Sequence, residues 1–149
     1  MDHFLKCNNY CIIAEIITQF NKMANTNVKL NYIILCDAIV DTGGKVNLLG
    51  IFSNIFTKTF PSAHPKFAIA LNFTGEPAEH TLTLRIIDTS GNEVMPPSPQ
   101  LKFRCPEFGE ASIGITVENL QIRSPGFLTV QVIVDNNKIG EKDLIVSKM

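Results

Sequence analysis

The sequence predicts an all-β fold, an immunoglobulin-like antiparallel β-sandwich of seven to nine strands. Three observations carry that expectation. From Lys29 onward, short apolar runs alternate at period two, the spacing that puts every second side chain on one face of a strand. Turn residues (Gly, Pro, Asn, Asp) punctuate the runs about every 8–12 residues, as sandwiches require. No helix-length apolar period lies between them, which argues against a βαβ plan. One inward row per strand implies two sheets sharing a core. A small barrel is the alternative. The chain has no Trp, so the Cys…Trp…Cys set of antibody domains is absent.

Residues 1–27 differ from the rest, which divides the chain into an amino-terminal segment and a sandwich domain over 28–149. The stretch from Tyr10 to Phe20 is apolar, but Glu15 interrupts it, and it is too short to span a membrane as a helix. Ile12, Ile13, Ile16, Ile17 and Phe20 fit helical spacing, with Glu15, Thr18 and Gln19 towards the other side. Asn8 or Asn9 could cap such a helix, whereas its β-branched isoleucines weaken it. Two readings stay open. A short amphipathic helix packs on the domain or on a second copy of it, or the segment is an upstream extension and the working domain starts at Met23. A basic cluster and a small-x-small cleavage site are both lacking, so the segment reads poorly as a secretory signal.

The strands follow in order. In Lys29 to Ile39, Leu30, Tyr32, Ile34 and Cys36 share one face while Ile33 and Leu35 share the other. Apolarity on both sides predicts a central strand, or one covered by a neighbour. Asp41-Thr42-Gly43-Gly44 makes a turn whose glycines are free to take positive φ. The second strand runs from Lys45 to Thr57; its alternation breaks after Ile51, and Gly50 in its interior signals a bulge or a close backbone approach. Phe60 to Pro65 reads as a loop stiffened by two prolines. In the third strand, Lys66 to Thr74, the row Phe67, Ile69, Leu71, Phe73 points inward. In the fourth, Glu79 to Asp88, the inward row is Leu82, Leu84, Ile86. Met95 to Pro99 is an extended, polyproline-like edge, and Leu101 to Cys105 a short strand. Ile113, Ile115 and Val117, then Leu120 and Ile122, face inward on the next. Phe127 to Val134 carries Leu128, Val130, Val132 and Val134 on one face; Asp135-Asn136-Asn137 turns the chain into a closing strand over Lys138 to Ser147.

The run Ile34-Leu35-Cys36-Asp37, then Gly44-Lys45, Leu49-Gly50-Ile51-Phe52, Phe60-Pro61 and His64-Pro65 resembles a family of small, mostly bacterial domains of unknown function. Val134-Asp135-Asn136-Asn137, followed by Leu144-Ile145-Val146, is similar to that family's final hairpin. The resemblance covers Leu30 to Val146, the length of one domain. It implies a β-sandwich in a cytosolic setting and no known activity, since the pattern is a fold signature more than a chemical one.

Composition narrows the function classes. A formal charge of −1 and a pI near 6.3, with basic residues scattered, leave no electrostatic footprint for nucleic acid or an anionic membrane. The cysteines, Cys7, Cys11, Cys36 and Cys105, form no Cys-x-x-Cys pair, so no metal site is expected. Cys36 reads as a small buried hydrophobe; a bridge to Cys105 would require export, and thiols in the cytoplasm are the expectation. Asp37 and Asp41, four residues apart, could hold a cation or act as acid and base, although Asp beside a turn more often bonds its backbone N–H groups. His64 could transfer protons or bind a ligand, against the plainer role of a loop histidine bonded to backbone. No nucleophile motif accompanies it. Gly43-Gly44-Lys45 lacks the Walker spacing, and the acceptor pattern Asn72-Phe73-Thr74 lies inside a strand. The acidic residues Asp88, Glu107, Glu110 and Asp135 are too sparse for a calcium-binding rim. The leading expectation is a non-enzymatic interaction module without cofactor, pairing with a protein partner or a second copy through strand edges and faces. The rival is a small hydrolase or ligand-binding protein built around His64 and Asp37, with Asp41.

Overall fold

A computed structural model describes residues 27–149. The expected helix over 12–20 and the alternative start at Met23 lie outside them. Nine strands follow one another: β1 (Val28–Thr42), β2 (Lys45–Ile51), β3 (Asn54–Thr57), β4 (Ser62–Gly75), β5 (Glu79–Ile87), β6 (Leu101–Arg104), β7 (Ala111–Ile122), β8 (Gly126–Val134) and β9 (Asn137–Lys148). They form a four-stranded sheet, β2-β1-β4-β7, and a five-stranded sheet, β3-β9-β8-β5-β6. This is the immunoglobulin-like plan: two sheets, one core, and no helix among the described residues. One pairing departs from the antiparallel expectation, since β3 runs parallel to β9.

The core is the sum of the inward rows. Leu35, Phe67, Ile69, Leu71, Phe73, Ile113 and Leu120 from one sheet meet Leu82, Phe103, Val130, Val132, Val134 and Leu144 from the other, all fully buried. Each contributes about 1.5–3 kcal/mol by leaving water. Phe73 and Phe103 stack across the layer with ring centres 4.9 Å apart. Strand β4 is buried on both faces from Phe67 to Phe73, because β1 and β7 flank it and its outward residues are the small Ala68 and Ala70 and the bonded Asn72.

Three local departures from the sequence expectation shape the region of interest. First, Ser62 to Pro65 belong to β4 and are not a loop. Strand β1 pairs with β4 only as far as Cys36 opposite Ala68, so beyond that point β4 has β7 alone beside it. A proline, which lacks the N–H donor, is tolerated on such a one-sided stretch. Pro65 falls between the pairs His64–Leu120 and Lys66–Glu118, facing Asn119, whose φ is +53°. The inward parity shifts there, which is how Val117 and Leu120, three residues apart, are both buried.

Second, the long second strand is two strands in different sheets. The residues that cross, Phe52 and Ser53, have their backbone satisfied on both sides: the Phe52 N–H donates to Leu35 O, and Ser53 O accepts from the Ile145 N–H, each at 2.9 Å. Third, β1 is covered only over its first half. From Asp37 on it pairs with β2 alone, and the two strands continue as an arm. No residue from 37 to 54 is buried, although Ala38, Ile39, Val40, Val46, Leu48, Leu49 and Ile51 are apolar.

Candidate functional site

An open cleft of about 380 Å³ lies at the root of the arm. Asp37 of β1, Gly50 and Ile51 of β2, the crossing Phe52, Asn54 to Phe56 of β3, and His64 of β4 line it. Four strands reach this point because the sheets part here: β1 and β2 leave β4 just as the chain passes to the other sheet.

Asp37 sits opposite Gly50, between the pairs Cys36–Ile51 and Ala38–Leu49. Its carboxylate lies directly on the glycine, where an added Cβ would collide with Oδ2, and Gly50 also takes a φ of +68°. The φ favours glycine, and the carboxylate packed against it gives the close approach expected from its place in the strand. The carboxylate is exposed and makes no hydrogen bond or ion pair with the described residues. His64 is half-buried, its ring held against Phe52 at 6.1 Å and Phe67 at 5.7 Å, with those two phenyl rings edge-to-face at 5.7 Å. Neither ring nitrogen is bonded within the described residues, so the backbone-bonded role does not describe it.

Asp41 stays apart. At the tip of the arm its Oδ1 accepts from the Gly44 N–H at 3.0 Å, the turn-capping role, while Oδ2 is buried without a partner. Of the three residues singled out by sequence, two therefore share the cleft. They form no hydrogen-bonded pair, and among the described residues no Ser, Thr or Cys lines the cleft beside them. No group of three or more His, Cys, Asp or Glu that could hold a metal occurs among the described residues.

A second histidine escaped sequence reasoning. His80 is 3% exposed, with Nδ1 2.7 Å from Asp135 Oδ2 and Nε2 3.0 Å from Glu76 O. Asp135 Oδ1 also accepts from the Thr81 N–H at 3.0 Å, so the turn between β8 and β9 is clasped to the start of β5. Burial pushes the His80 pKa down, but the bond to Asp135, the Glu76 carbonyl and the neighbouring negative charge outweigh it and raise the value above the usual one. Both nitrogens face acceptors, the arrangement that the doubly protonated ring satisfies at both ends. The signal was its parity: His80 heads the inward row of Leu82, Leu84 and Ile86, where a polar residue needs a partner.

Other motifs resolve structurally. Asn72 Oδ1 accepts from Asn31 Nδ2 at 2.8 Å and its Nδ2 donates to Ser112 Oγ at 2.9 Å and Glu110 Oε2 at 3.1 Å, so the amide of the acceptor pattern is buried and used. Cys36 and Cys105 are both buried thiols; burial pushes the Cys36 pKa up. No helix among the described residues is long and apolar enough to cross a membrane.

Comparison with known proteins places these features in a lineage without a known activity. Residues 31–147 match a sequence family described as a family of unknown function, DUF6941. No curated protein matches the chain. Among solved structures, the alkylpurine DNA glycosylase AlkC of Pseudomonas fluorescens, bound to DNA containing an abasic-site analogue, aligns with a TM-score of 0.53 at 11% identity, over 87% of this chain and 33% of its own. A beta-glucosidase from Listeria innocua aligns with a TM-score of 0.49 at 9% identity, over 83% of this chain and 16% of its own. An immunoglobulin-like protein from Pseudomonas aeruginosa aligns with a TM-score of 0.46 at 14% identity, over 83% of this chain and 98% of its own. The chain thus spans about a third of the glycosylase, and at such identities the likeness extends to the fold alone.

Proposed function

We propose that this chain, which belongs to the family of unknown function DUF6941, is a non-enzymatic interaction module that pairs with a second copy of itself through the β1–β2 arm. The observation that carries the reading is the edge of β2, which no strand among the described residues covers. That strand is the last of its sheet, and from Val46 to Ile51 it holds neither charge nor proline. Leu49 and Ile51 on one of its faces are 51% and 64% exposed. Sheet edges are ordinarily blunted by charge, proline, bulges or a covering element, because unpaired N–H and C=O groups recruit other strands. Here a single lysine, Lys45, stands at the end.

The edge is also compatible with itself. Two copies of β2 laid antiparallel about a two-fold axis at Leu48 set Leu49 beside Asn47, Gly50 beside Val46 and Ile51 beside Lys45. No like charges oppose each other, and the arrangement closes as a dimer. Association of this kind supplies main-chain hydrogen bonds from the edge and sets Leu49 and Ile51 beside side chains of the partner strand. The buried thiols Cys36 and Cys105 are in keeping with a cytoplasmic setting. Among the described residues no Ser, Thr or Cys lines the cleft and no bond joins Asp37 to His64, which supports binding over hydrolysis.

Size-exclusion chromatography with light scattering on the full chain is the test. The wild-type chain is expected to run as a dimer, and the variant Leu49→Lys/Ile51→Lys as a folded monomer. A monomeric wild type, or a variant that stays dimeric, overturns the reading.

A further inference from the structure

We infer that the cleft at the root of the arm binds an organic cation, an ammonium or guanidinium group carried on an apolar stem. Two polar side chains of the cleft, Asp37 and His64, have no hydrogen-bond partner among the described residues. Folded chains normally use their partly buried polar groups in hydrogen bonds. The half-buried His64 ring packs against Phe52 and Phe67 yet bonds to no described residue, and beside it in the same cleft the exposed Asp37 carboxylate lies on Gly50, also without a described partner. A ring packed in advance loses little entropy when a ligand arrives.

The lining selects the ligand. The carboxylate of Asp37 accepts hydrogen bonds, disfavours anions and attracts a cationic donor. The imidazole of His64 adds a second polar contact. Beside them the lining is Asn54 and the apolar Ile51, Phe52, Ile55 and Phe56, so an apolar stem has partners and the aromatic rings offer contacts to a cation. Asp37 and His64 are too few for a zinc site, which takes three protein ligands or more. A volume of about 380 Å³ suits a small molecule or one long side chain. The chemistry is shared by a free amine and by a lysine side chain, and the experiment separates these sources.

The test is a titration of the full chain at neutral pH, following the His64 ring protons and the Gly50 amide by NMR. One probe is 4-phenylbutylammonium and the other is Nα-acetyl-lysine methylamide. At least one is expected to bind in the millimolar range, and the tighter of the two identifies the source. Asp37→Asn keeps the shape and removes the charge; it should weaken binding about tenfold. Asp41→Asn removes the same charge from the arm's tip and should leave binding unchanged. Binding of neither probe, equal binding by Asp37→Asn, or an equal loss in Asp41→Asn overturns the proposal. Light scattering on the same samples keeps this outcome distinct from the dimer, since Asp37→Asn alters neither Leu49 nor Ile51.

Discussion

Gly50 is the residue on which the cleft depends, and two separable constraints act on it. Its φ of +68° strains any side chain, and the Asp37 carboxylate occupies the space of a Cβ. Gly50→Ala is expected to cost about 2 kcal/mol or more in chemical denaturation. Adding Asp37→Ala should restore part of it, because the collision is relieved while the backbone strain remains; a double-mutant cycle measures the two shares. His80 yields a pH prediction. Its folded pKa is raised above the unfolded value of about 6.5. The clasp's contribution is therefore complete below about pH 6.5 and is lost as pH rises through the folded pKa. Thermal melts should show His80→Gln costing more stability at about pH 6 than at about pH 9; an equal cost at both values removes the ion pair from the account. At this scale the sequence was uneven. Gly50 was legible because glycine inside a strand has few explanations. His80 was not, because an apolar row draws the eye to Leu82 and past the polar residue that heads it. Pro65 makes the sequence around His64 resemble a loop, yet its missing N–H costs little where β4 has one neighbour.

At the scale of elements, the telling case is the passage from β2 to β3. The break in alternation after Ile51 is visible in the sequence, but its meaning is not. Whether the chain bends within one sheet or crosses to the other depends on who accepts from the Phe52 N–H and who donates to Ser53 O. Those partners, Leu35 and Ile145, lie far apart in sequence. The crossing turns Ile55 into the core beside Val146 and leaves Phe56 outside, at 5% and 60% exposure. Ile55→Ala should therefore destabilise by about 2–5 kcal/mol and Phe56→Ala by less than about 1 kcal/mol, as read by denaturant midpoints. The reverse order would mean that β3 presents its other face. The parity shift at Asn119 is the opposite case. Val117 and Leu120 both read as inward from sequence, and the left-handed residue between them is the backbone device that reconciles the two.

For the molecule as a whole, the division between sandwich and arm governs what perturbation can reach. Two sheets and a shared core were legible because burial there is the sum of local alternations. The arm was not, since apolar residues resume in β1 at Ala38, Ile39 and Val40, just past Asp37, where β4 has already stopped covering the strand. Because no residue from 37 to 54 is buried, substitutions on the arm's apolar face should barely change the stability of one copy. If that face is where two copies meet, folding and association are linked, and stability depends on concentration. The melting temperature of the wild-type chain should then rise with protein concentration, whereas that of Leu49→Lys/Ile51→Lys should stay constant. At high dilution the two curves should converge, because the dimer no longer adds to the stability of the fold. A wild-type melt that ignores concentration would leave the apolar arm without the partner that its composition demands.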